Sequence, residues 1–378
     1  DFSLRRGEIM ALLGENGAGK STLIKAEIAL LGDKMQSASK LIYRGKLLGS
    51  LPTVGEIHKE IAVSEETVTW ISLQRDIIAN ILLGKDPRLL VIVGPCSIHD
   101  VQAAVDYAKR LFVLQNKYLS KMYIVMRTYF EKPRTRKGWK GIMHDPDLNG
   151  SYDVEKGIRY ARQCLSSITT MRVATATEFL DPFLTPYIAD LICWGAIGAR
   201  TTESQTHRQL ASGLHCPVGF KNSTDGNINL AIDAIIAARE QHIVYMTSLT
   251  NSISTLLTDG NPHGHLILRG GREPNYGLSD ITKAVKLMHD EGINHRLIID
   301  CSHGNSGKVA KRQISVARQV IDNRKKIPGY VAGIMVESFL QDGKQSDSFP
   351  LEYGQSVTDE CISWQQTEQL LSTLAAQL

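Results

Sequence analysis

From Leu89 onward the chain alternates short, almost wholly apolar runs with longer amphipathic stretches. Nine such runs occur, most of them separated by enough residues for a helix: LLVIVGPCS, YIVMRTY, RVATATEF, DLICWGAIGAR, CPVGFKN, HIVYMTS, HLILRGG, RLIIDCSHG and VAGIMVES. Strands that are apolar throughout and alternate with helices are typical of a parallel sheet that is covered on its outside. We therefore predict an α/β fold of the (β/α)8, or TIM, barrel type.

Nine runs are one more than such a barrel needs. The stretch between HIVYMTS and HLILRGG is rich in turn residues (TDGNPHG), so we expect one of these two runs to belong to a β-hairpin insertion. Before the barrel, Val68, Ile71, Ile77, Ile78 and Ile81 recur at roughly helical spacing. We divide the chain into an N-terminal segment (1–50), a lead-in with a helix (51–88) and the barrel (89–378).

Most apolar runs end in a polar or reactive residue. These residues are Cys96, Arg127, Glu178, Arg200, Lys221, Arg269, His303 and Glu337. In a barrel the carboxyl ends of the strands converge on one face, where active sites are built. Three strands that end in Arg and a fourth that ends in Lys need anions, because a buried uncompensated cation costs several kcal/mol in order-of-magnitude terms.

The composition narrows the functional classes. Hydrophobic residues make up 43% and charged residues 22% of the 378 positions, which is ordinary for a soluble globular protein. A net charge of +4 is small for a nucleic-acid binder, and no apolar run approaches the roughly 20 residues of a membrane helix. Six scattered cysteines without CxxC spacing fit a reduced compartment. We expect a cytoplasmic protein without nucleic-acid or membrane partners.

The segment after YIVM, RTYFEKPRTRKGWKGIMHDPDLNGSY, concentrates positive charge. Pro133 and Gly138 exclude a solvated helix, so these cations project from a loop. Arginine forks and lysine point charges suit phosphate and carboxylate ligands. A basic surface loop or a nucleic-acid contact is the alternative for this segment alone.

Two sets of residues are candidates for the barrel mouth. The cationic set would suit one substrate with a phosphate and a carboxylate and a second phosphorylated substrate; it comprises Arg127, Lys132, Arg200, Lys221 and Arg269, with Arg134 and Thr135 beside them. Some of these cations could instead pair with Glu178, Glu203 or Asp225. The second set offers a thiolate, an imidazole and two carboxylates, which suit borderline divalent ions such as Mn²⁺, Fe²⁺, Zn²⁺ or Co²⁺; it comprises Cys96, His303, Glu337 and Asp359.

A phosphate-binding motif lies near the N-terminus. GENGAGKST contains Gly14, Gly19, Lys20 and Ser21 in a P-loop pattern and resembles the start of an ABC-transporter ATPase domain. The resemblance ends at about Ser50, no LSGGQ-type signature follows, and the only later apolar run that ends in Asp is at Asp300. We expect an incomplete, truncated or fused piece. An ATP-binding transporter subunit remains the alternative function.

Residues from about 51 to 378 resemble the type I 3-deoxy-D-arabino-heptulosonate-7-phosphate (DAHP) synthases. The resemblance is carried by long motifs in order: GPCSIHD, MRTYFEKPRTRKGWKG, DPDLNGSY, TATEFLD, WGAIGARTTESQ, PVGFKNSTDG, GHLILRGGREPNY, DCSHGNSGK, AGIMVESFL and YGQSVTDECISW. It implies condensation of phosphoenolpyruvate with erythrose 4-phosphate, the first step of the shikimate pathway.

The resemblance also implies residue roles. Arg127, Lys132, Arg200, Lys221 and Arg269 would hold phosphoenolpyruvate, Arg134 and Thr135 the erythrose 4-phosphate phosphate, and Cys96, His303, Glu337 and Asp359 the metal. From the chemistry of the reaction we also expect Lys132 to donate a proton to the developing alkoxide and Glu178 to help position the water. Cys96 and His303 are counted among the catalytic residues as well.

This family usually carries an N-terminal segment that supports a homodimer or homotetramer and inhibition by an aromatic amino acid, and here the P-loop piece takes its place. An inactive regulatory barrel and the related phosphoenolpyruvate-using aldol synthases remain alternatives. KPRT with GWKG favours the four-carbon aldose phosphate.

Overall fold

The computed structural model describes residues 44–45 and 48–378. The chain divides into two units, Asp1–Leu51 and Pro52–Leu378. The predicted P-loop at Gly14, Gly19, Lys20 and Ser21 lies outside the described residues. In the part of the chain that the structure describes, no helix is long and apolar enough to cross a membrane.

The second unit is the predicted (β/α)8 barrel. Ten strands are described: β1 (Leu89–Gly94), β2 (Met122–Arg127), β3 (Ala174–Glu178), β4 (Trp194–Ile197), β5 (Val218–Lys221), β6 (Ile243–Thr247), β7 (Ile253–Leu257), β8 (His265–Leu268), β9 (Leu297–Asp300) and β10 (Val331–Glu337). Eight of them close into a parallel barrel in the order β1-β10-β9-β8-β5-β4-β3-β2.

Helices connect the strands and cover the outside of the barrel. They are α1 (Val54–Glu60), α2 (Glu65–Leu82), α3 (Val101–Tyr118), α4 (Val154–Thr170), α5 (Gln205–Ser212), α6 (Asn229–Arg239), α7 (Leu278–Asp290), α8 (His303–Ser306), α9 (Arg312–Lys326) and α10 (Trp364–Gln377). Between β3 and β4 two short 3₁₀ turns, Thr185–Tyr187 and Ala189–Leu191, replace a full helix.

The apolar runs form strands that are buried on both faces. Every residue of β1, β2 and β10 is buried, as expected for barrel strands that pack inward on one another and outward on helices. Gly333 lets β10 approach β1, because a Cβ at that position would lie 2.1 Å from the Leu90 carbonyl oxygen. A larger residue there would push the two strands apart.

The predicted hairpin is present, and the structure shows which run belongs to it. HIVYMTS supplies β6, which pairs antiparallel with β7, whereas HLILRGG supplies barrel strand β8. No residue of either hairpin strand is buried, unlike the barrel strands. The sequence pattern did not mark β7 as an apolar run, because ISTLL is short and interrupted by Ser and Thr.

The lead-in contains two helices where we expected one. Thr53 and Glu56 form a capping box that starts α1, and the Ser64 side chain accepts a hydrogen bond from the Thr67 amide to start α2. Such caps satisfy backbone N–H groups that a short helix otherwise leaves open.

Candidate active site

A cavity of about 400 Å³ opens at the carboxyl ends of the barrel strands. Eight lysines and arginines line it, against two carboxylates, Glu178 and Asp359; the cations are Lys132, Arg134, Arg136, Lys137, Arg200, Lys221, Arg269 and Lys308. Such an excess of positive charge in a concave site focuses the field and attracts small anions. All the predicted substrate-binding residues line this cavity except Arg127.

The cations that line the cavity differ in their partners. Among the described residues, no carboxylate lies within ion-pair distance of Arg134, Arg200 or Arg269. Arg134 is held by its own loop, since its Nε donates to the Trp139 carbonyl oxygen at 2.8 Å. These three guanidinium groups are therefore available to bind negatively charged ligands. The predicted alternative, pairing with Glu178, Glu203 or Asp225, does not occur for them.

Two other predicted cations are already paired and almost fully buried. Lys221 Nζ donates to Asp300 Oδ2 at 3.0 Å, and Arg127 lies behind the cavity with its Nη2 3.1 Å from Glu337 Oε1. Buried pairs of this kind need both members, because either charge alone in the interior is costly. Arg127 thus orients Glu337 in this structure, while Lys221 presents its charge at the cavity wall.

The predicted metal residues come together from four different segments. Cys96, Glu337 and Asp359 each place one ligand atom so that all three atoms lie within 4.8 Å of one another. His303 adjoins them, with its Nε2 3.9 Å from Glu337 Oε1. Its backbone has φ of 55°, a left-handed conformation that non-glycine residues adopt rarely and mostly where the surroundings impose it.

This donor set fits a borderline divalent ion. One thiol, one imidazole and two carboxylates match the ligands that such ions take, and Glu337 is fully buried while its charge is balanced by Arg127. Ser302 Oγ also donates to Glu337 Oε2 at 2.7 Å, which fixes the second carboxylate oxygen. The residues present therefore fit the metal that the sequence predicts.

Electrostatics within this group favour a cation. Burial, reinforced by the charge of Glu337, raises the pKa of the Cys96 thiol to about 11. A bound metal ion reverses this, because it binds the thiolate and lowers the thiol pKa. Lys132 Nζ donates to Cys96 Sγ at 3.0 Å. Burial lowers the Lys132 pKa, but Cys96, Glu337 and Asp359 outweigh it and hold that pKa above its usual value.

Glu178 also lines the cavity. Its Oε1 atom is buried and has no hydrogen-bond partner among the described residues. Gly198 makes room for this carboxylate, since a Cβ at position 198 would lie 2.2 Å from Oε1. A buried acceptor without a partner in a polar cavity is suited to hold a water molecule or a substrate hydroxyl.

Two residues beside the metal-binding group were not among the candidates from the sequence. Lys308 lines the cavity next to His303, and Asp300 connects Lys221 with the metal-binding group. Asp300 had been considered only as a possible ATPase residue. The signal that could have found it is its place as the last residue of β9, the position that Arg127, Glu178, Lys221 and Glu337 hold on their own strands.

Comparison with known proteins agrees with this geometry. A family model described as the DAHP synthetase I family matches residues 60–372. The chain belongs to this family. It is therefore an enzyme of the DAHP synthase class, and the barrel that the alternation of apolar runs predicted is the fold that the structure shows.

Individual DAHP synthases match over nearly their whole length. The Trp-sensitive phospho-2-dehydro-3-deoxyheptonate aldolase of Enterobacter agglomerans is 51% identical over 87% of this chain and 95% of its own. The Trp-sensitive enzyme of Escherichia coli K12 is 50% identical over 86% of this chain and 94% of its own. The structure of the Francisella tularensis SCHU S4 aldolase superposes with a TM-score of 0.86 at 43% identity, covering 88% of this chain and 98% of that one.

A second family model, described as ABC transporter, matches residues 1–118. This match extends past residue 50, where we expected the likeness to end. Its last part, residues 89–118, forms β1 and α3 of the barrel. The DAHP synthase match covers most of the chain, whereas this one covers less than a third of it.

Proposed function

We propose that this DAHP synthase condenses phosphoenolpyruvate with erythrose 4-phosphate and water to give DAHP and inorganic phosphate, and that it needs a divalent metal ion. The observation that carries the proposal is the cavity in which eight cations face two carboxylates beside a Cys, His, Glu and Asp donor group. Two phosphates and a carboxylate would balance most of that positive charge.

Phosphoenolpyruvate would bind on the inner wall. Arg200 and Arg269 have no described carboxylate within ion-pair distance, so they are free to form charge-assisted hydrogen bonds with phosphate and carboxylate oxygens. Lys221 and Lys132 would add point charges, and Arg127 would act from behind through Glu337. These contacts would hold the enol carbon in one orientation and stabilise the departing phosphate.

The metal would be held by Cys96, His303, Glu337 and Asp359. When bound, a divalent ion such as Mn²⁺, Fe²⁺, Zn²⁺ or Co²⁺ supplies a Lewis acid for the aldehyde, which the weakly nucleophilic enol carbon needs. The chain orients one of these ligands, Glu337, with its own hydrogen bonds, since Arg127 donates to its Oε1 atom and Ser302 donates to its Oε2 atom. Cys96 and His303 would therefore take part in catalysis as ligands.

Proton transfer would use Lys132 and Glu178. The raised pKa of Lys132 keeps its ammonium group charged, so that it can give a proton to the alkoxide that forms as the carbon–carbon bond closes. Water then adds to the carbon that bears the phosphate, and Glu178 would accept its proton through the unpartnered Oε1. Cleavage of the C–O bond in the resulting hemiketal phosphate releases inorganic phosphate.

The outer end of the cavity would select erythrose 4-phosphate. Arg134 and Thr135 are exposed on the cavity rim, and the Trp139 carbonyl fixes the Arg134 guanidinium. A short phosphorylated aldose would place its phosphate on this rim and its aldehyde near the metal group. Larger sugar phosphates would have to extend past the rim into solvent.

Further parts of the proposal concern the rest of the chain. We keep the division into residues 1–50, 51–88 and 89–378, with a barrel that acts as a homodimer or homotetramer. Six free, buried cysteines support a reducing, cytoplasmic location. Two relatives are named Trp-sensitive, which supports an aromatic amino acid as inhibitor. Nucleic acid and membrane are not among the proposed partners.

The decisive experiment follows the loss of phosphoenolpyruvate absorbance with erythrose 4-phosphate and Mn²⁺. We expect consumption that stops with EDTA and in the Cys96→Ala variant, because both remove the metal. Cys164→Ala is the matched control, since Cys164 is a buried free thiol in α4, away from the cavity; it should retain turnover. Metal content, measured by mass spectrometry, should fall in Cys96→Ala alone.

Contrary outcomes are clear. If the chain consumes no phosphoenolpyruvate but hydrolyses ATP in a way that Lys20→Ala abolishes, the transporter ATPase alternative replaces this proposal. If turnover persists after complete removal of metal, the metal-dependent part is wrong while the condensation stands.

A further inference from the structure

Asp300 is a fully buried carboxylate with three polar contacts around the site. It ends β9, and its side chain is 0% exposed. Its Oδ2 atom accepts a hydrogen bond from Lys221 Nζ at 3.0 Å and lies 2.9 Å from His303 Nδ1, while Oδ1 accepts from the Ser302 amide at 3.0 Å. A buried carboxylate is retained at such a position only when its charge is compensated.

The contact with His303 determines which ring nitrogen is available as a ligand. A neutral imidazole carries its hydrogen on one nitrogen and offers the lone pair of the other. Asp300 Oδ2 lies 2.9 Å from Nδ1, outside hydrogen-bond geometry, and its negative charge favours the hydrogen on this nitrogen. The lone pair of Nε2 then faces Glu337, whose Oε1 lies 3.9 Å away. Histidines that bind metals commonly have their outer nitrogen oriented by a carboxylate in this way.

The same carboxylate reaches a second proposed ligand through the backbone. Ser302, whose amide donates to Asp300 Oδ1, uses its hydroxyl to donate to Glu337 Oε2 at 2.7 Å. The Asn305 side chain also donates to the Asp300 carbonyl oxygen at 2.9 Å, which fixes the end of β9. Asp300 therefore has a fixed place between the phosphoenolpyruvate-binding Lys221 and two residues of the donor group.

We propose that Asp300 is the positioning residue of the metal site: it holds His303 with Nδ1 protonated and Nε2 turned to the metal, and Lys221 neutralises its buried charge. This inference rests on the proposed function, because it takes His303 as a ligand. Asp300 itself touches neither substrate nor metal in this proposal. Its effect would therefore appear in metal affinity before it appears in any chemical step.

The test is a direct titration of the metal-free, full-length chain with Co²⁺ in the absence of substrate. The absorption of the Co²⁺–thiolate complex reports binding. Asp300→Asn keeps the size of the side chain but can present an N–H to His303 and so favour the wrong tautomer. We expect Co²⁺ to bind about 10- to 100-fold more weakly. Asp145→Asn is the control, because Asp145 is buried and hydrogen-bonded outside the donor group; it should bind Co²⁺ as the unchanged chain does.

A double-mutant cycle separates positioning from general damage. In a His303→Gln background the Asp300→Asn substitution should cause little further loss of Co²⁺ affinity, since the residue that it positions is gone. An equal loss in both backgrounds would show that Asp300 does not act through His303 and would overturn the proposal. Unchanged Co²⁺ affinity in folded Asp300→Asn would overturn it as well.

A measurement on the unchanged chain covers the case in which Asp300→Asn does not fold. Nitrogen NMR of the ¹⁵N-histidine-labelled, metal-free protein at mildly alkaline pH reports the tautomer of His303, assigned by its absence in His303→Gln. We expect the hydrogen on Nδ1, and a hydrogen on Nε2 would refute the proposal. If the unchanged chain binds no Co²⁺ at all, the proposed metal-dependent function fails instead, so the two failures are distinguishable.

Discussion

At the carboxyl end of the barrel, two pairs of buried side chains carry opposite charges, whereas at the amino end the buried His265 is neutral. Lys221 pairs with Asp300, and Arg127 pairs with Glu337. At the other end His265 begins β8, and His263 and His295 lie in the segments that precede β8 and β9. His265 is buried as deeply as the two charged pairs, so the difference comes from the immediate neighbours of each side chain.

His265 shows how the amino end excludes charge. The Trp194 indole N–H donates to His265 Nε2 at 3.1 Å, and His265 Nδ1 lies 2.9 Å from the His263 carbonyl oxygen. Since an indole nitrogen only donates, Nε2 must accept and Nδ1 must carry the hydrogen. Burial lowers the pKa of His265 to about 3. The neutral ring satisfies both partners, and a second proton would oppose the indole N–H.

The carboxyl end retains its charges at the same depth. Burial raises the pKa of Asp300, yet its close contact with His303 and the charge of Lys221 outweigh that effect and hold the pKa well below its usual value. The difference between the two ends indicates that burial alone does not neutralise a side chain. A buried side chain keeps its charge at the carboxyl end, where opposite charges and the proposed ligands lie beside it. At the amino end, where the side chains only close the barrel, the buried histidine is neutral.

Among the substitutions that test this comparison, we expect Glu337→Gln to have the largest effect on stability. The substitution leaves the Arg127 guanidinium buried without its partner, and we expect the free energy of unfolding to fall by about 3–5 kcal/mol. Metal binding and turnover should be lost as well. Urea unfolding with a spectroscopic readout measures the change in stability. Metal analysis measures the loss of bound metal, and the consumption of phosphoenolpyruvate measures turnover.

An exposed ion pair provides the control for Glu337→Gln. Glu60 accepts from Arg159 Nε at 2.8 Å on the surface, so Glu60→Gln should cost less than about 1 kcal/mol. If Glu337→Gln were as mild as Glu60→Gln, the buried pairs at the carboxyl end would not be the tightly compensated set described here.

Arg200→Ala tests the cations at the carboxyl end that have no carboxylate partner. We expect its effect on substrate binding to be smaller than the effect of Glu337→Gln on stability. Arg200 is exposed in the cavity, and its loss leaves no described carboxylate uncompensated. A charged hydrogen bond contributes about 1.5–3 kcal/mol, so the KM for phosphoenolpyruvate should rise about 10- to 100-fold. The free energy of unfolding should change by no more than about 0.5 kcal/mol.

Steady-state kinetics at varied phosphoenolpyruvate and saturating erythrose 4-phosphate measure the KM of Arg200→Ala. Arg318→Ala, on the exposed face of α9, is the matched control and should leave the KM unchanged. A large loss of stability in Arg200→Ala with an unchanged KM would show that Arg200 is structural.

The sequence predicts many of the functional residues at the carboxyl end of the barrel but few features of the amino end. Strand ends such as Arg127, Lys221 and Glu337 were predicted because an apolar run that ends in a charged residue can be recognised from the sequence alone. The pairing of Lys221 with Asp300 was not, since these residues are 79 positions apart and only closure of the barrel brings them together. The environment of His265 was not predicted either, because it depends on Trp194, a contact that no spacing rule indicates.

The smallest expected effect is a change of pH dependence in His265→Gln. Because the pKa of His265 is about 3 in the folded chain and about 6.5 when unfolded, the unfolded chain binds more protons as the pH falls below about 6.5. Stability therefore falls with decreasing pH, by about 1.4 kcal/mol per pH unit from this group, until the pH nears 3. Gln can still accept from Trp194 and donate to the His263 carbonyl, but it does not titrate.

We therefore expect His265→Gln to flatten the loss of stability between about pH 6.5 and about pH 5.5 by about 1 kcal/mol. Urea unfolding at both pH values measures it, with the exposed His289→Gln as the variant that should keep the full loss. His295, whose pKa is lowered to about 4 by burial and by Arg239, contributes in the same direction and explains a residual slope. An unchanged slope in His265→Gln would mean that this histidine is already charged in the folded chain, and the contrast between the two ends would fail.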